Sequence, residues 1–511
     1  MKLSPFLLAA AIGFTASAEG LVTDLPAIYI TTNTGEEITS TDTYIPSTLS
    51  IVEADGTQTD YTDTKVRGRG NTLFTLEKKP YKLKLAKKAA LAGADFAKGK
   101  KWNLMADHGD KTLLRNAVAS FIAKEAGQPF APTAKFVDLT VNGKYVGTYR
   151  LTDQIDIRKK RVNITEQPEI VTALTNISGG YLLEIDDAAD DLEGSVVSTQ
   201  KGMKITIKSP DEDVITQEQI SYISDHLNKF ETALFSSNWL NANAGYKLYI
   251  DLPSLIQWYI TAELTAEPNS FRSVYFYKDK DDDKFFFGPV WDFDFAFDNS
   301  ARWGSRPKAL VAQEGRGPEW CYTWIDRLRQ DPQFHQQVNQ TWQALLADGL
   351  IEKTISYIDA TAKQIEKSQL KNFELYSIAD KAHDEQHLFS TYAEGVDFLK
   401  SNLQARAKFL SEAFATLAAG GTVPVTGAED DDPSAIDEVA APDYHVTVAD
   451  RTLRFLCNSN LEGTWTIYST GGAKVMTGKI KPTVSLSSLP SGNYIVCWTI
   501  GHSVKIAKFT L

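Results

Sequence analysis

Hydrophobic and polar residues alternate on both sides of a short acidic turn in the second half of the chain. The stretch Ser273–Asp298 reads SVYFYKDKDDDKFFFGPVWDFDFAFD, and its aromatic and β-branched runs flank the turn Asp279–Asp283. Two such runs joined by a polar turn predict a β-hairpin. If the chain stays extended after the Gly-Pro step, Asp292 and Asp294 project to one face of the returning strand and the neighbouring aromatic residues take the other.

Short alternating segments are also frequent in the N-terminal part of the chain, where they predict strands. Phe136–Leu151 reads as two strands around an Asn-Gly turn, which is a strong hairpin signal. Gly179–Asp187 is a further predicted strand, and period-two alternation places Glu184 and Asp186 on one of its faces.

Apolar residues at three- and four-residue spacing predict helices further along. The predicted helices cover Thr112–Ala126, Thr216–Phe235 and Leu252–Leu264, and the chain from Trp320 to Ala419 is predicted to be helical. An acidic, Gly- and Pro-rich flexible linker follows over residues 420–442, and short alternating strands resume over residues 443–511. The expected fold class is therefore α+β, with a β-rich N-terminal lobe and a helical C-terminal part, followed by a small all-β sandwich.

Composition narrows the class of protein. A length of 511 residues is more than one compact domain of usual size, so two or more units are expected. With 43% hydrophobic and 23% charged residues, the chain has the composition of a globular protein. Its net charge of −12 argues against binding to nucleic acid, so any affinity for phosphates has to come from a local basic patch.

The first 18 residues have the pattern of a signal peptide. Lys2 precedes an apolar stretch that ends in the small-residue pattern Ala16-Ser17-Ala18, which predicts cleavage before Glu19. No later stretch reaches the roughly 20 apolar residues that a membrane helix needs. We therefore expect an exported, soluble chain without a transmembrane segment.

One basic segment stands out in this acidic chain. Within Lys65–Leu85, Arg67 and Arg69 share a face of a predicted strand, and the glycines beside them allow close approach to the backbone. Lys82 and Lys84 follow in a second strand with alternating polarity. Convergent basic side chains next to glycines are suited to phosphate binding. The alternative is a basic strand edge that keeps the protein soluble.

The two acids of the hairpin have their own alternatives. Asp292 and Asp294 repel each other unless a cation lies between them, and their hard oxygen ligands suit Mg²⁺ or Mn²⁺. They also fit an acidic strand end that faces water. Paired acids occur in glycosidases as well, but the sequence does not give the carboxyl separation that such enzymes need.

The segment 19–419, most clearly residues 25–418, resembles the CotH family, which is named for a bacterial spore-coat protein and grouped with atypical protein kinases. The resemblance rests on a series of motifs in one order rather than on any one of them. The motifs are VRGRGN (Val66–Asn71), KKPYKLKL (Lys78–Leu85), LLRN (Leu113–Asn116), VNGKYVGTYRLTDQ (Val141–Gln154), GGYLLEID (Gly179–Asp186), EPN (Glu267–Asn269) and GPVWDFD (Gly288–Asp294).

This resemblance implies a kinase-like fold and metal-dependent transfer of the γ-phosphoryl group of ATP to Ser/Thr hydroxyls of a surface or exported protein, with Mg²⁺ or Mn²⁺. It implies that Asp292 binds the metal, with Asp294 as its helper. The residues that it places at the nucleotide are Arg67, Arg69, Lys82, Lys84 and Glu184. One of the two lysines is expected to pair with Glu184, as a lysine and a glutamate do in ordinary kinases.

The chain departs from the family pattern just before the hairpin. Many CotH-like proteins carry an aspartate there as the presumed catalytic acid, whereas this chain has Glu267 and Asn269. Glu267 is then the expected base and Asn269 a metal ligand, or else the site is inactive. The main alternative is a non-catalytic CotH-like surface protein with a binding or structural role. A secreted protein meets little ATP, which favours this alternative or phosphorylation during export.

The C-terminal residues resemble the sorting domain of the type IX secretion system. The likeness is carried by Ile467–Gly478, Leu486–Val496 and Lys505–Leu511. It implies a Bacteroidetes-type bacterium, export through the periplasm by the type IX machinery, and a secreted or cell-surface location.

Overall fold

The computed structural model describes two stretches of the chain, each with gaps. These are residues 20–424, except 71, 168–176, 187–194, 305–307 and 314–320, and residues 445–511, except 450, 457–462, 470–472, 482 and 501–502. The chain divides into two compact units, Met1–Glu429 and Asp430–Leu511. The predicted signal peptide and all but the first five residues of the predicted linker lie outside the described residues.

Seven strands of the large unit close into a barrel. They are β1 (Ala27–Thr32), β2 (Ile45–Val52), β3 (Gln58–Gly68), β4 (Tyr81–Ala89), β5 (Gly99–Met105), β6 (Lys135–Val141) and β7 (Lys144–Asp153). Their order is β1-β2-β3-β4-β5-β7-β6, and the parallel pairing of β1 with β6 closes the ring. Val66 and Leu83 belong to the barrel core, so the alternating residues Arg67 and Lys82, which face each other across β3 and β4, lie on the outer surface.

Two helices interrupt the barrel strands, α1 (Thr72–Thr75) and α2 (Arg115–Glu125). Helix α2 begins three residues later than the sequence pattern predicts. The reason is Leu113, whose φ of +61° is left-handed and cannot continue a right-handed helix. The first residues of α2, Arg115 and Asn116, are buried although they are polar.

A five-stranded antiparallel sheet follows the barrel. Its strands are β8 (Tyr181–Ile185), β9 (Ser195–Ser198), β10 (Lys204–Ser209), β11 (Val274–Lys278) and β12 (Phe285–Phe287), in the order β12-β11-β8-β10-β9. The predicted hairpin is confirmed as β11 and β12, with Phe276 opposite Phe287. One face of the sheet packs on the main hydrophobic core, and the other carries Glu184 and Tyr275, which are register partners.

The described residues of the large unit contain seven further α-helices. They are α3 (Gln217–Phe235), α4 (Leu252–Thr265), α5 (Tyr322–Leu328), α6 (Pro332–Ala347), α7 (Leu350–Gln364), α8 (Glu366–Leu375) and α9 (Tyr392–Ala418). Side-chain caps fix the starts of two of them: Thr216 forms a capping box on α3, and Asp251 caps α4. Leu255 of α4 and Leu399 of α9 share one core with the sheet. The expected β-rich N-terminal region and helical C-terminal part are both confirmed.

The C-terminal unit is all β among its described residues. Its strands are β13 (His445–Ala449), β14 (Thr452–Leu456), β15 (Gly463–Ser469), β16 (Lys474–Lys479), β17 (Thr483–Ser485), β18 (Asn493–Ile500) and β19 (Ser503–Thr510). They form two sheets, β13-β14-β17 and β16-β15-β18-β19. Leu453 of the first sheet shares a core with Trp465 and Val496 of the second, which is the arrangement of a sandwich.

Over the described ranges of both units, no helix combines the length and the apolar character needed to cross a membrane.

Candidate active site

The segment after β12 carries the two predicted metal-binding acids, but it is not a strand. Strand β12 ends at Phe287, and Asp292 has a φ of +62°. A left-handed residue cannot lie in a pleated strand, so the expected extended conformation is wrong. The turn nevertheless brings the carboxyl groups of Asp292 and Asp294 within hydrogen-bonding reach of each other. A turn, rather than the alternation of side chains along a strand, therefore brings the two carboxyl groups together.

Both carboxyl groups are energetically costly as anions. Asp294 is 9% exposed, and burial together with the charge of Asp292 raises its pKa well above the usual range. Burial also raises the pKa of Asp292, and the nearby Arg69 guanidinium offsets part of that rise. A group that carries positive charge would stabilise both anions at this position.

Glu267 completes what we call the acid cluster, defined as Glu267, Asp292 and Asp294. Helix α4 ends at Thr265, and the left-handed Ala266 turns the chain so that Glu267 points inwards. Glu267 is 1% exposed; its Oε1 accepts a hydrogen bond from the Asn269 amide at 3.0 Å, while Oε2 has no hydrogen-bond partner among the described residues. Burial first, and then the two aspartates, raise its pKa well above the usual range.

Asn269, the other predicted residue of this turn, is partly exposed. Its carbonyl oxygen accepts hydrogen bonds from the amides of Arg272 and Ser273, which fixes the turn before β11. Its backbone is thus held beside the acid cluster. The role of its side chain as a metal ligand stays a prediction.

Asn116 links the acid cluster to a third aspartate. Its Nδ2 donates to Asp294 Oδ1 at 2.8 Å and to Asp107 Oδ1 at 3.2 Å, and its Oδ1 accepts from the Phe293 amide at 2.8 Å. Asp107 is in turn held by Arg150 on β7 through two hydrogen bonds of 2.9 Å. The sequence prediction did not include Asn116, Asp107 or Arg150, although Asn116 ends the LLRN motif and Arg150 lies in another motif.

A second contact fastens the same loop to the start of α2. Arg115 Nε donates to the carbonyl oxygen of Ala296 at 2.9 Å, and the Arg115 guanidinium forms a fully buried ion pair with Asp110. The start of α2 thus holds the loop at two points, through Arg115 and Asn116.

Of the four predicted basic residues, Arg69 is the one whose charge acts on Asp292, and the unpredicted Arg150 acts on both aspartates. Arg69 lies just beyond the end of β3, where its Nη1 contacts Met105 Sδ at 3.2 Å. Its charge lowers the pKa of both Asp292 and Tyr275. Arg69 therefore lies close enough to Asp292 for its charge to act on that carboxyl group.

The other predicted basic residues lie along the outer surface of the barrel. The Arg67 guanidinium is 5.0 Å from the centre of the Tyr44 ring, and the Lys84 ammonium is 5.6 Å from the same centre. Lys82 lies opposite Arg67 in the β3–β4 ladder. Nucleotide contacts of Arg67, Lys82 and Lys84 stay predictions.

Glu184 has a lysine partner, but it is neither Lys82 nor Lys84. Lys208, next to a bulge in β10, places its Nζ 3.3 Å from Glu184 Oε2, which corrects the expected pairing. The physical reason is the strand order: β10 lies directly beside β8, whereas β4 belongs to the barrel. Burial raises the pKa of Glu184 to about 7, with Lys208 opposing the rise.

Glu184 and Lys208 belong to what we call the polar sheet face, which also carries Asp186, Ser273 and Tyr275. The Ser273 hydroxyl donates to Asp186 Oδ2 at 2.9 Å. The Tyr275 ring meets the Trp291 ring edge-on, with centroids 5.3 Å apart. Since Trp291 immediately precedes Asp292, this ring contact brings the polar sheet face next to the acid cluster.

The donor chemistry fits a divalent cation that also binds a substrate. Within the described ranges, no group of three or more His, Cys, Asp or Glu side chains is arranged to hold a metal ion by itself. Mg²⁺ is usually held by one or two carboxylates, with water and substrate phosphates supplying the rest. Asp292 and Asp294 match that requirement, and the unpartnered Glu267 Oε2 marks an uncompensated acid beside them.

Comparison with known protein families shows a match over most of the large unit. The family model described as CotH kinase protein matches residues 66–410, a range that contains every residue of the acid cluster and of the polar sheet face. No curated protein matches the chain.

Proposed function

The chain belongs to the CotH kinase protein family, and we propose that it transfers the γ-phosphoryl group of ATP to Ser/Thr hydroxyls of a surface or exported protein. The observation that carries the proposal is the approach of Arg69, from the end of β3, to Asp292, from the loop after β12. Phosphoryl transfer needs cationic groups on the phosphates and acids that hold a metal at the same place.

Arg69 and Lys208 are the proposed phosphate contacts. Arg69 supplies a fixed positive charge that acts on Asp292, and Glu184 holds Lys208 through its ion pair. A lysine fixed by a buried glutamate has the arrangement that kinases use to orient ATP phosphates. Lys208 thus takes the place that the sequence had suggested for Lys82 or Lys84.

Asp292 and Asp294 are the proposed metal ligands, with the side-chain oxygen of Asn269 as a third. A bound Mg²⁺ or Mn²⁺ would neutralise charge on the phosphates during transfer. The chain's own contribution is to hold both carboxyl groups in one turn, where they are already poorly hydrated and repel each other. Both conditions favour cation binding over solvation by water.

Glu267 is the proposed acceptor of the proton from the substrate hydroxyl. It is the carboxyl group whose pKa responds to both Asp292 and Asp294. Burial raises that pKa most, and the two aspartates add to the rise, so a cation bound at the aspartates would lower the pKa and favour the deprotonated form that a base needs. Its action as a base is then coupled to loading of the metal site.

Transfer of labelled phosphate tests the proposal. The purified chain is incubated with γ-labelled ATP and either Mg²⁺ or Mn²⁺, and phosphorylated Ser and Thr are located by mass spectrometry. We expect metal-dependent labelling, its loss in Asp292→Ala, and a fall of about 100-fold or more in Glu267→Gln. Labelling that survives Asp292→Ala would contradict the metal assignment, and labelling unchanged in Glu267→Gln would contradict the base.

The burial of Glu267 favours one second candidate, a catalytically inactive CotH-like protein with a binding or structural role at the cell surface. A carboxyl group that is 1% exposed, with its pKa raised by burial, is a poor acceptor for the proton of an incoming hydroxyl. Binding of metal and ATP without transfer would be the result expected from this candidate.

The proposed location is the cell surface or the exterior, reached through the periplasm and the type IX secretion machinery. The two-sheet C-terminal unit supports this proposal, because a sorting domain of the resembled kind is a small β-sandwich. Fusion of residues 443–511 to a periplasmic reporter tests it: surface delivery that depends on a working type IX system is expected, and retention in the periplasm would contradict it.

A further inference from the structure

Asn116 makes three hydrogen bonds that converge on the metal-binding turn. Its amide nitrogen donates to Asp294 and Asp107, and its amide oxygen accepts from the backbone of Phe293. The residue is 7% exposed, so these contacts are not shared with bulk water. Sequence separation makes the link unusual, since Asn116 and Asp294 are 178 positions apart.

We propose that Asn116 is a positioning residue that holds the turn containing Asp292 and Asp294 in the shape that binds the metal, an inference that rests on the proposed function. Its nitrogen fixes one oxygen of Asp294 and leaves the other free to face Asp292. Its oxygen fixes the Phe293 amide between the two acids. Both ends of one amide are therefore used to set the distance between two carboxyl groups.

The backbone of the turn shows why such a support is needed. Asp292 has a φ of +62°, a conformation that costs free energy in a residue with a β-carbon. The negative charge of Asp292 raises the pKa of Asp294, so repulsion between the two acids works against the closed turn when both are ionised. A buried amide anchored on α2 opposes both effects.

The anchor of Asn116 is itself rigid. Asn116 lies at the start of α2, next to Arg115, whose guanidinium donates to Ala296 on the far side of the same turn. Asp107, the other acceptor of the Asn116 amide, is fixed by Arg150 on the barrel strand β7. A series of hydrogen bonds, from Arg150 through Asp107 and Asn116 to Asp294, connects the barrel to the metal-binding turn.

Only asparagine supplies both a donor and an acceptor at this length. Aspartate would lose the donor and add another negative charge beside Asp107 and Asp294, and leucine would fill the volume but make none of the three hydrogen bonds. Groups that orient metal ligands typically contribute 10- to 100-fold to metal affinity. We expect a loss of that size when Asn116 is replaced.

The test compares Asn116→Leu with Asn103→Leu in the full chain. Asn103 is a matched control, because it is also a buried asparagine (4% exposed) with an amide hydrogen bond, but to Asp153 in the barrel. Mn²⁺ binding is measured by calorimetry without nucleotide. Hydrogen exchange of the Phe293 amide is measured in the metal-free protein. Asn116→Ser, which is smaller than asparagine and cannot overpack the site, serves if the leucine variant does not fold.

The expected result is that the Asn116 variants weaken Mn²⁺ binding about 10- to 100-fold and speed exchange of the Phe293 amide, while Asn103→Leu changes neither. Mn²⁺ affinity and exchange equal to those of the wild type would overturn the inference and leave the proposed function standing. Failure of the wild type to bind Mn²⁺ would overturn the metal assignment, and the inference with it.

Discussion

Two buried glutamates near the end of α4 have opposite surroundings. Glu263 is fully buried, and its carboxylate accepts hydrogen bonds of 2.9 Å from the amides of both Val311 and Ala312. The Arg406 guanidinium lies 3.5 Å from the same carboxylate. We call this the Glu263 pair. A buried charge with this set of partners is a structural element that the fold can retain without any ligand.

Glu267 is just as buried, but it faces Asp292 and Asp294 instead of an arginine. The Asn269 amide donates to its Oε1, and Oε2 has no hydrogen-bond partner among the described residues. Such a cluster reduces the stability of the free protein. The contrast indicates that the Glu263 pair serves the fold, whereas the acid cluster has the property expected of a site that binds a positively charged group.

The largest change in the free energy of unfolding is expected from Arg406→Met, a substitution in the Glu263 pair. This change removes the counter-charge of Glu263 and leaves a buried anion, which should lower the free energy of unfolding by about 3–5 kcal/mol. Urea denaturation followed by tryptophan fluorescence measures it. The double variant Glu263→Gln/Arg406→Met should recover part of the loss, and a single variant as stable as the wild type would remove the basis of the comparison.

The acid cluster should respond to charge removal with the opposite sign. Asp294→Asn takes away a repelled buried charge and keeps an oxygen that can accept from Asn116, so the metal-free protein should gain about 1–2 kcal/mol in the free energy of unfolding. The same variant should lose stabilisation by Mn²⁺. A net loss of stability without metal would mean that Asp294 is structural, like Glu263.

Glu184, a buried acid with one lysine partner, is intermediate between the Glu263 pair and the acid cluster. Its effect on the free energy of unfolding should depend on pH. Its pKa is about 7 in the folded protein, compared with 4.5 as the ordinary value, so the folded state holds a proton that the unfolded state has released. The free energy of unfolding therefore falls as pH rises through this window. Relative to Glu184→Gln, the wild type should lose about 2–3 kcal/mol between pH 5 and pH 8.

Denaturation of both proteins across that pH range measures the difference. A constant difference would show that Lys208 fully compensates Glu184, and would place Glu184 with the Glu263 pair.

The smallest effect is expected for the lysine side chains Lys208 and Lys84, and it is an effect on ATP affinity. Lys208→Met should weaken ATP binding about tenfold, because it removes a charge fixed by a buried glutamate. Lys84→Ala, which removes a lysine that rests on the Tyr44 ring, should change ATP affinity less than about threefold. Calorimetry with Mn²⁺ present compares them, and the reverse order would restore the choice made from sequence alone.

The sequence predicts the elements that are fixed by local pattern. The β11–β12 hairpin and the helices α3, α4 and α9 follow from alternation, from helical spacing and from capping residues. The same alternation fails at Asp292, because period-two polarity does not reveal a left-handed residue. Local pattern thus selects Asp292 and Asp294 as candidates but does not give the conformation that brings them together.

Residues of the site that depend on tertiary contacts could not be predicted. Lys208 meets Glu184 because β10 lies beside β8, and a bulge there decides which residue reaches the carboxylate. Asn116 reads locally as the start of a helix, and its contact with Asp294 exists only in the folded chain. Burial of Glu267, which sets its pKa, is likewise a property of the whole core.

The central claim is that the acid cluster, Arg69 and Lys208 enclose one metal–nucleotide site, and a crystal of the protein with Mn²⁺ and a non-hydrolysable ATP analogue tests it most directly. We expect an anomalous scattering peak about 2.1 Å from oxygens of Asp292 and Asp294, with the phosphates between that peak and the Arg69 and Lys208 side chains. Manganese bound elsewhere, or a nucleotide seated away from Arg69, would contradict the account.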